Sequence, residues 1–146
     1  MAWRVECAKD GCSARDSVDN IVTLIEQHVD ADGWFKCSAG HRAYIRKSFQ
    51  MQEGGEPWKP FLRGIYKFPV LQAYEPFVFL VSDSESGPVN AVWFSYYKDL
   101  RGQGGRLKLG YGPGGPPVVQ ARDVVDLVEK LHALGCLTDS DLERIR

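Results

Sequence analysis

Between positions 7 and 41 of this 146-residue chain, three of its four cysteines and one of its histidines form two close pairs. Four residues separate Cys7 from Cys12, and three separate Cys37 from His41. Two such hooks, brought together by the stretch between them, offer three thiolates and an imidazole. That is a tetrahedral donor set suited to Zn²⁺, and four protein donors close the coordination sphere, as in a structural site. Gly11 and Gly40 each precede the second donor of their hook, where a chelating loop must turn tightly. Two other readings of the same residues stay open: reduced thiols packed in the interior, and a disulfide framework. The charged segment from Met1 to Arg15 does not look like a secretory signal, which disfavours the disulfides.

Other catalytic signatures are missing. The chain has no H-E-x-x-H, no G-x-S-x-G, no G-x-x-x-x-G-K-[ST] and no zinc-deaminase pattern. Glu6, beside Cys7, would serve as a general base only if a metal kept an open position, which four donors do not leave. His132 and Cys136 lie four residues apart, but Gly135 interrupts the helix that would align them. Gly110-Tyr111-Gly112-Pro113-Gly114-Gly115 matches G-x-G-x-x-G, yet it runs into Pro116-Pro117 rather than a helix N-terminus, so it reads as a Gly/Pro connection.

The elements that would position the hooks follow from hydrophobic periodicity. Residues 2–6 alternate and read as a strand into the first hook, and residues 34–37 as a strand into the second. Between them Val18, Ile21, Val22, Ile25 and Val29 mark a helix, with Asp16 or Ser17 as N-cap and Asp16 and Asp19 in its first turn. His28, at the edge of that face, is a rival donor to His41 or a buried histidine with a satisfied hydrogen bond. The order strand, hook, helix, strand, hook resembles zinc-ribbon-like modules with a helix inserted between the knuckles. Over the first third of the chain, that resemblance implies a structural metal and a binding surface.

Beyond Arg42 the pattern turns to β. Segments 43–51, 61–68, 77–81, 91–97 and 106–111 concentrate aromatic and β-branched residues, joined by turn-rich stretches at 53–57, 83–88 and 101–105. They predict a roughly five-stranded antiparallel sheet or a partly open barrel. A C-terminal helical pair follows. The first helix is marked by Val124, Val125, Leu127, Val128, Leu131 and Leu134 and stops at Gly135; the second is opened by a capping box from Thr138 to Asp141. Its cadence is similar to the short terminal helical pairs of the SHOCT type. The expected class is α+β, with a zinc-binding module over 1–52 and a β unit with C-terminal helices over 53–146, or one continuous domain. A hydrophobic share of 44 %, a charged share of 25 % and no apolar run of membrane-spanning length predict a cytoplasmic protein.

The formal charge of -1 hides an uneven distribution. Between Arg42 and Lys67 six basic residues stand against Glu53 and Glu56, interleaved with aromatics. In a strand after His41, Arg42, Tyr44, Arg46 and Ser48 would face one way, with Ile45 and Phe49 turned to the core. Arg42, Tyr44, Arg46 and Lys47 are therefore the candidate contacts to nucleic acid, neutralising phosphates and stacking on bases. The same alternation also arises with aromatics in the core and cations merely solvated. Two functions are expected on these grounds. One is a zinc-stabilised, non-enzymatic nucleic-acid-binding module. The other is an adaptor or oligomerisation domain, in which the apolar helices or a sheet edge hold a protein partner or a second copy.

Overall fold

The computed structural model describes residues 2–71, 74–110 and 117–145. Among these the chain is α+β, with a seven-stranded antiparallel sheet and three α-helices. The elements are β1 (Trp3–Cys7), β2 (Arg15–Val18), α1 (Ile21–His28), β3 (Ala43–Arg46), β4 (Phe61–Lys67), β5 (Glu75–Ser82), β6 (Val89–Asp99), β7 (Leu107–Leu109), α2 (Ala121–Ala133) and α3 (Asp139–Glu143). The hydrogen-bonding order of the strands is β2-β1-β3-β4-β5-β6-β7. Among the described residues no helix is long and apolar enough to cross a membrane. The glycine-rich 111–115 stretch lies outside the described residues.

The helix expected from Asp16 or Ser17 starts later. Residues 15–18 instead form β2, paired antiparallel with β1 so that Val18 lies opposite Trp3. Asn20 is the N-cap, its Oδ1 accepting from the Thr23 N–H at 2.9 Å, and the first turn of α1 holds no acid. Cross-strand hydrogen bonds from β1 outweigh the helical period that Val18 suggests, and the alternation of β2 buries that same valine. Ile21, Leu24 and His28 form the buried stripe of α1.

The contacts group the chain into two compact units: Met1–Ile65 with Phe79–Trp93, and Tyr66–Val78 with Phe94–Arg146. In the first, Phe35, Phe79, Leu24, Leu62 and Val5 are fully buried, and Phe79 lies against Trp3 and stacks on Trp93 at 4.9 Å. Each such side chain contributes roughly 1.5–3 kcal/mol. In the second unit Phe77 packs on Tyr97, while Lys67 donates to Glu75 at 3.0 Å and to the Tyr97 hydroxyl at 2.9 Å. There α2 ends as expected: the Gly135 N–H bonds to the His132 carbonyl and the Cys136 N–H to that of Leu131, with Gly135 at φ 79°. The Thr138–Asp141 capping box also forms. The apolar stripe of α2 is narrower than its sequence suggests, because only Leu127 of the six apolar residues is buried, and Val124 and Val125 are exposed.

Of residues 34–37, expected as a strand, 34–36 make isolated bridges on both sides. Trp34 pairs with Gly64, Lys36 with Arg42 and Val29 with Phe35. The Phe35 N–H reaches the Arg63 carbonyl at 2.9 Å, the Ile65 N–H reaches that of Gly33 at 2.8 Å, and the Ala43 N–H reaches that of Phe35 at 3.0 Å. The backbones at Gly33 and Gly64 run so close that a Cβ on Gly64 would overlap the Gly33 carbonyl oxygen. Gly64→Ala is therefore expected to cost about 2–3 kcal/mol in chemical denaturation. Gly102→Ala, where nothing lies within 4 Å of the added atom, should stay within about 0.5 kcal/mol of the parent.

Candidate metal centre

The first hook is the connection between β1 and β2. The Cys7 N–H bonds to the Ala14 carbonyl at 3.2 Å and the Cys12 N–H to that of Lys9 at 3.2 Å, with Gly11 at φ 82° closing the turn. The second hook is a tight loop closed by the Lys36 to Arg42 bridge. Its Cys37 N–H bonds to the His41 carbonyl and its Gly40 N–H to the Cys37 carbonyl, each at 2.9 Å, and Gly40 has φ 83°. Both glycines adopt the left-handed conformation that other residues take at a cost.

Three pairings join the hooks. β1 and β3 align Cys7 with Ala43, the Ala8 N–H donates to the Arg42 carbonyl at 2.9 Å, and the Asp16 carboxylate accepts from the Ser38 N–H at 3.2 Å. Asp16 thus latches β2 to the residue after Cys37 instead of capping a helix. The result is one cluster: the donor atoms of Cys7, Cys12, Cys37 and His41 all lie within 4.8 Å of one another, and Cys7 Sγ is 3.7 Å from His41 Nδ1. Metal–donor bonds of about 2.0–2.3 Å in a tetrahedron would separate the donors by roughly 3.5–3.8 Å. The cluster can therefore hold a metal ion after a slight contraction. Cys37 is buried and the other three donors are half-buried.

The thiols are not equivalent. Desolvation pushes Cys7 up to about 11, against the pull of the Lys9 N–H at 3.3 Å. Burial also opposes ionisation of Cys37, but the N–H groups of His41 and Ala39, with the neighbouring thiols, outweigh it and hold that thiol below its ordinary value. N–H groups aimed at a cysteine sulfur stabilise the thiolate form that a metal requires. His28 is not among the clustered donors; it is buried, and its Nδ1 donates to the Lys36 carbonyl at 2.8 Å.

Of the basic candidates, Arg42 and Arg46 are exposed, and Tyr44 between them is half-buried. Ala43 and Ile45 turn to the core, so the alternation expected of this segment is present. The Arg42 guanidinium lies 4.4 Å from the Trp34 ring and that of Arg46 4.1 Å from Phe61, where it also donates to the Lys59 carbonyl at 2.9 Å. Tyr44 meets Phe61 edge-on, and burial, with the charges of Glu6 and Glu85, pushes its phenol up. Lys47, one residue out of phase, lies 5.8 and 5.9 Å from the Phe49 and Trp93 rings. Two other cations of the run serve internal bonding: Lys67 in its Glu75–Tyr97 network, and buried Arg63, which donates to the carbonyls of Ser84 at 3.3 Å and Gly87 at 2.7 Å. No sequence signal distinguishes Arg63 from its exposed neighbours. Its position at the centre of β4, in a run of four buried residues, does.

Asp30 also lacked a role in the sequence. Its Oδ1 accepts from the N–H groups of Asp32 at 2.9 Å and Trp34 at 3.0 Å, and its Oδ2 lies 3.5 Å from the Lys36 ammonium, so it shapes the turn that leads into the second hook. Burial raises its carboxyl, but the two N–H groups and Lys36 outweigh this and leave it below its ordinary value of 3.8.

Comparison of the chain with protein-family models, with curated proteins and with solved structures finds no match.

A carboxyl held low in the folded protein stabilises it fully above the unfolded value, and that stabilisation disappears as pH falls through the folded value. Asp30→Ala should therefore cost about 1 kcal/mol near pH 7. The gap between parent and variant should narrow below about pH 4 in denaturant titrations run across pH. A gap that does not change with pH would assign the loss to something other than the carboxylate.

Proposed function

We propose that the chain is a zinc-stabilised, non-enzymatic binding protein, with a zinc-ribbon-like N-terminal part and nucleic acid as its ligand. Support for zinc comes from the chemistry of the donor set: three sulfurs and one imidazole nitrogen gathered by two glycine-turned hooks suit a borderline-soft tetrahedral ion. With four protein donors the coordination sphere is complete, so the ion acts as a cross-link and leaves no position for a substrate. A reducing, cytoplasmic setting would keep the three thiols available.

The observation that carries the nucleic-acid reading is the exit from the second hook. Directly after His41, Arg42 leads into β3; Arg42, Tyr44 and Arg46 alternate with the buried Ala43 and Ile45, and both guanidinium groups are held against aromatic rings. An arginine held in this way has lost part of its rotamer freedom before a ligand arrives, and its outward N–H groups match phosphate oxygens. The cross-link and the binding face are thus contiguous in the chain. The adaptor reading has its own support in the exposed Val124 and Val125 of α2, with Val118 and Ile145 also exposed.

The tag-free protein is expected to carry about one zinc per chain by elemental analysis. Cys12→Ser should lower the melting temperature far more than Cys136→Ser, because the first removes a donor and the second changes one half-buried side chain. Equal losses would remove the ligand assignment.

Oligonucleotide binding should weaken steeply with salt. In the folded Arg42→Ala/Arg46→Ala double variant, the slope of log affinity for a single strand against log salt should be shallower by about 1.4, two phosphate contacts. If neither single nor double strands bind at low ionic strength, the adaptor reading takes precedence.

A further inference from the structure

We propose that the cleft between the first hook and the turn at residues 84–87 is an oxyanion site that takes a phosphate group. This deepens the nucleic-acid reading and rests on it for the source of that phosphate. The cleft is lined by Lys9, His41, Arg42, Arg63, Glu85 and Ser86, together with Ala8. Arg63 forms the inner wall. It is only 7 % exposed, and its bonds to the Ser84 and Gly87 carbonyls tie the turn to β4. Arg42 approaches the same indole, so the two guanidinium groups lie 4.4 and 5.8 Å from the Trp34 centroid. Lys9 lines the cleft from the first hook, whose loop is fixed by the Lys9 N–H bond to Cys7 Sγ.

Three permanent cations therefore line one cleft against a single carboxylate, Glu85. Like charges brought together repel, and an oxyanion between them reverses the sign of that interaction. Planar guanidinium forks suit the paired oxygens of a phosphate, an ammonium supplies a point charge, and the Ser86 hydroxyl adds a neutral donor. Arg63 makes the arrangement more than a solvated surface: a buried cation held by backbone carbonyls does not move out into water when the cleft is empty. Arg46, in contrast, does not line the cleft. It belongs to the neighbouring strand face, which separates a phosphate seated in the cleft from one lying along β3.

The test uses the full, metal-loaded chain at low ionic strength, with two probes: inorganic phosphate, followed by the Arg63 Nε–H resonance, and a labelled single-stranded oligonucleotide, followed by anisotropy. Phosphate should shift the Arg63 signal saturably. Lys9→Ala should weaken it by about fivefold, Glu85→Gln should tighten it by about threefold, and Arg46→Ala should leave it unchanged. The oligonucleotide should follow the same two cleft substitutions and weaken with Arg46→Ala as well. If phosphate binds in this pattern and the oligonucleotide does not, the cleft stands as a site for free phosphate or a small phosphorylated molecule, and the nucleic-acid reading falls. An oligonucleotide that responds to Arg46→Ala but to neither cleft substitution keeps the nucleic-acid reading and overturns the cleft. The absence of a saturable shift with phosphate, or a phosphate affinity indifferent to both Lys9→Ala and Glu85→Gln, overturns the cleft as well.

Discussion

The backbone of residues 33–36 is hydrogen-bonded on both flanks at once, and the first unit is assembled around that constraint. On one side Phe35 and Gly33 exchange bonds with Arg63 and Ile65 of β4; on the other, Phe35 and Lys36 bond to Ala43 and His28. A segment paired on two sides in a dry interior has almost no freedom of register, since a slip would leave buried N–H and C=O groups unsatisfied at 1–3 kcal/mol each. The close passage of Gly33 over β4 leaves no room for a side chain on Gly64. With Trp34 and Phe35 fixed, Cys37 enters its loop in one direction. The position of the Cys7–Cys12–Cys37–His41 cluster is thus set by sheet hydrogen bonds.

That order matters for the energetics of the cluster. In the smallest zinc modules the metal supplies nearly all of the folding free energy, because the chain has no core of its own. Here Phe35, Leu24, Leu62 and Phe79 are fully buried beneath the hooks. A metal would mainly cross-link two loops that the sheet already brings close. The unequal thiols fit this arrangement. Cys37 receives backbone N–H groups from its own tight loop, whereas Cys7, at the end of β1, is pushed up by desolvation and by the sulfurs beside it. Coordination would give the three sulfurs a common counter-charge.

Charge in this chain is allocated by depth. Arg63 and Lys67 belong to the same basic run as Arg42 and Arg46, yet the first pair is spent on carbonyl, carboxylate and phenol acceptors and the second lies over the aromatic rings of Trp34 and Phe61. A count of cations along the chain therefore overstates the free positive surface. Of that run, Arg42, Arg46 and Lys59 remain exposed.

The sequence by itself determined the features whose physics is local. The donor pairs Cys7/Cys12 and Cys37/His41, the glycine turns at Gly11 and Gly40, the Schellman end at Gly135 and the Thr138–Asp141 capping box each involve residues within about five positions of one another, so their types and spacing suffice. The strands β4 to β6 were legible for a related reason: dense aromatic and β-branched runs have few other uses. Only the tertiary structure decided the fate of residues 15–18, which carry helical spacing but pair with β1, and of Asp16, which became a latch onto Ser38. The same holds for the isolated bridges of residues 34–36, the burial of Arg63 and the convergence of Lys9, Arg42 and Arg63 on one cleft. In these cases the deciding hydrogen-bond partner or neighbouring charge lies six to fifty-odd residues away in the chain, beyond the reach of local spacing. Periodicity and spacing report what a segment can do alone, and sheet pairing selects among those options by the partners that distant segments supply.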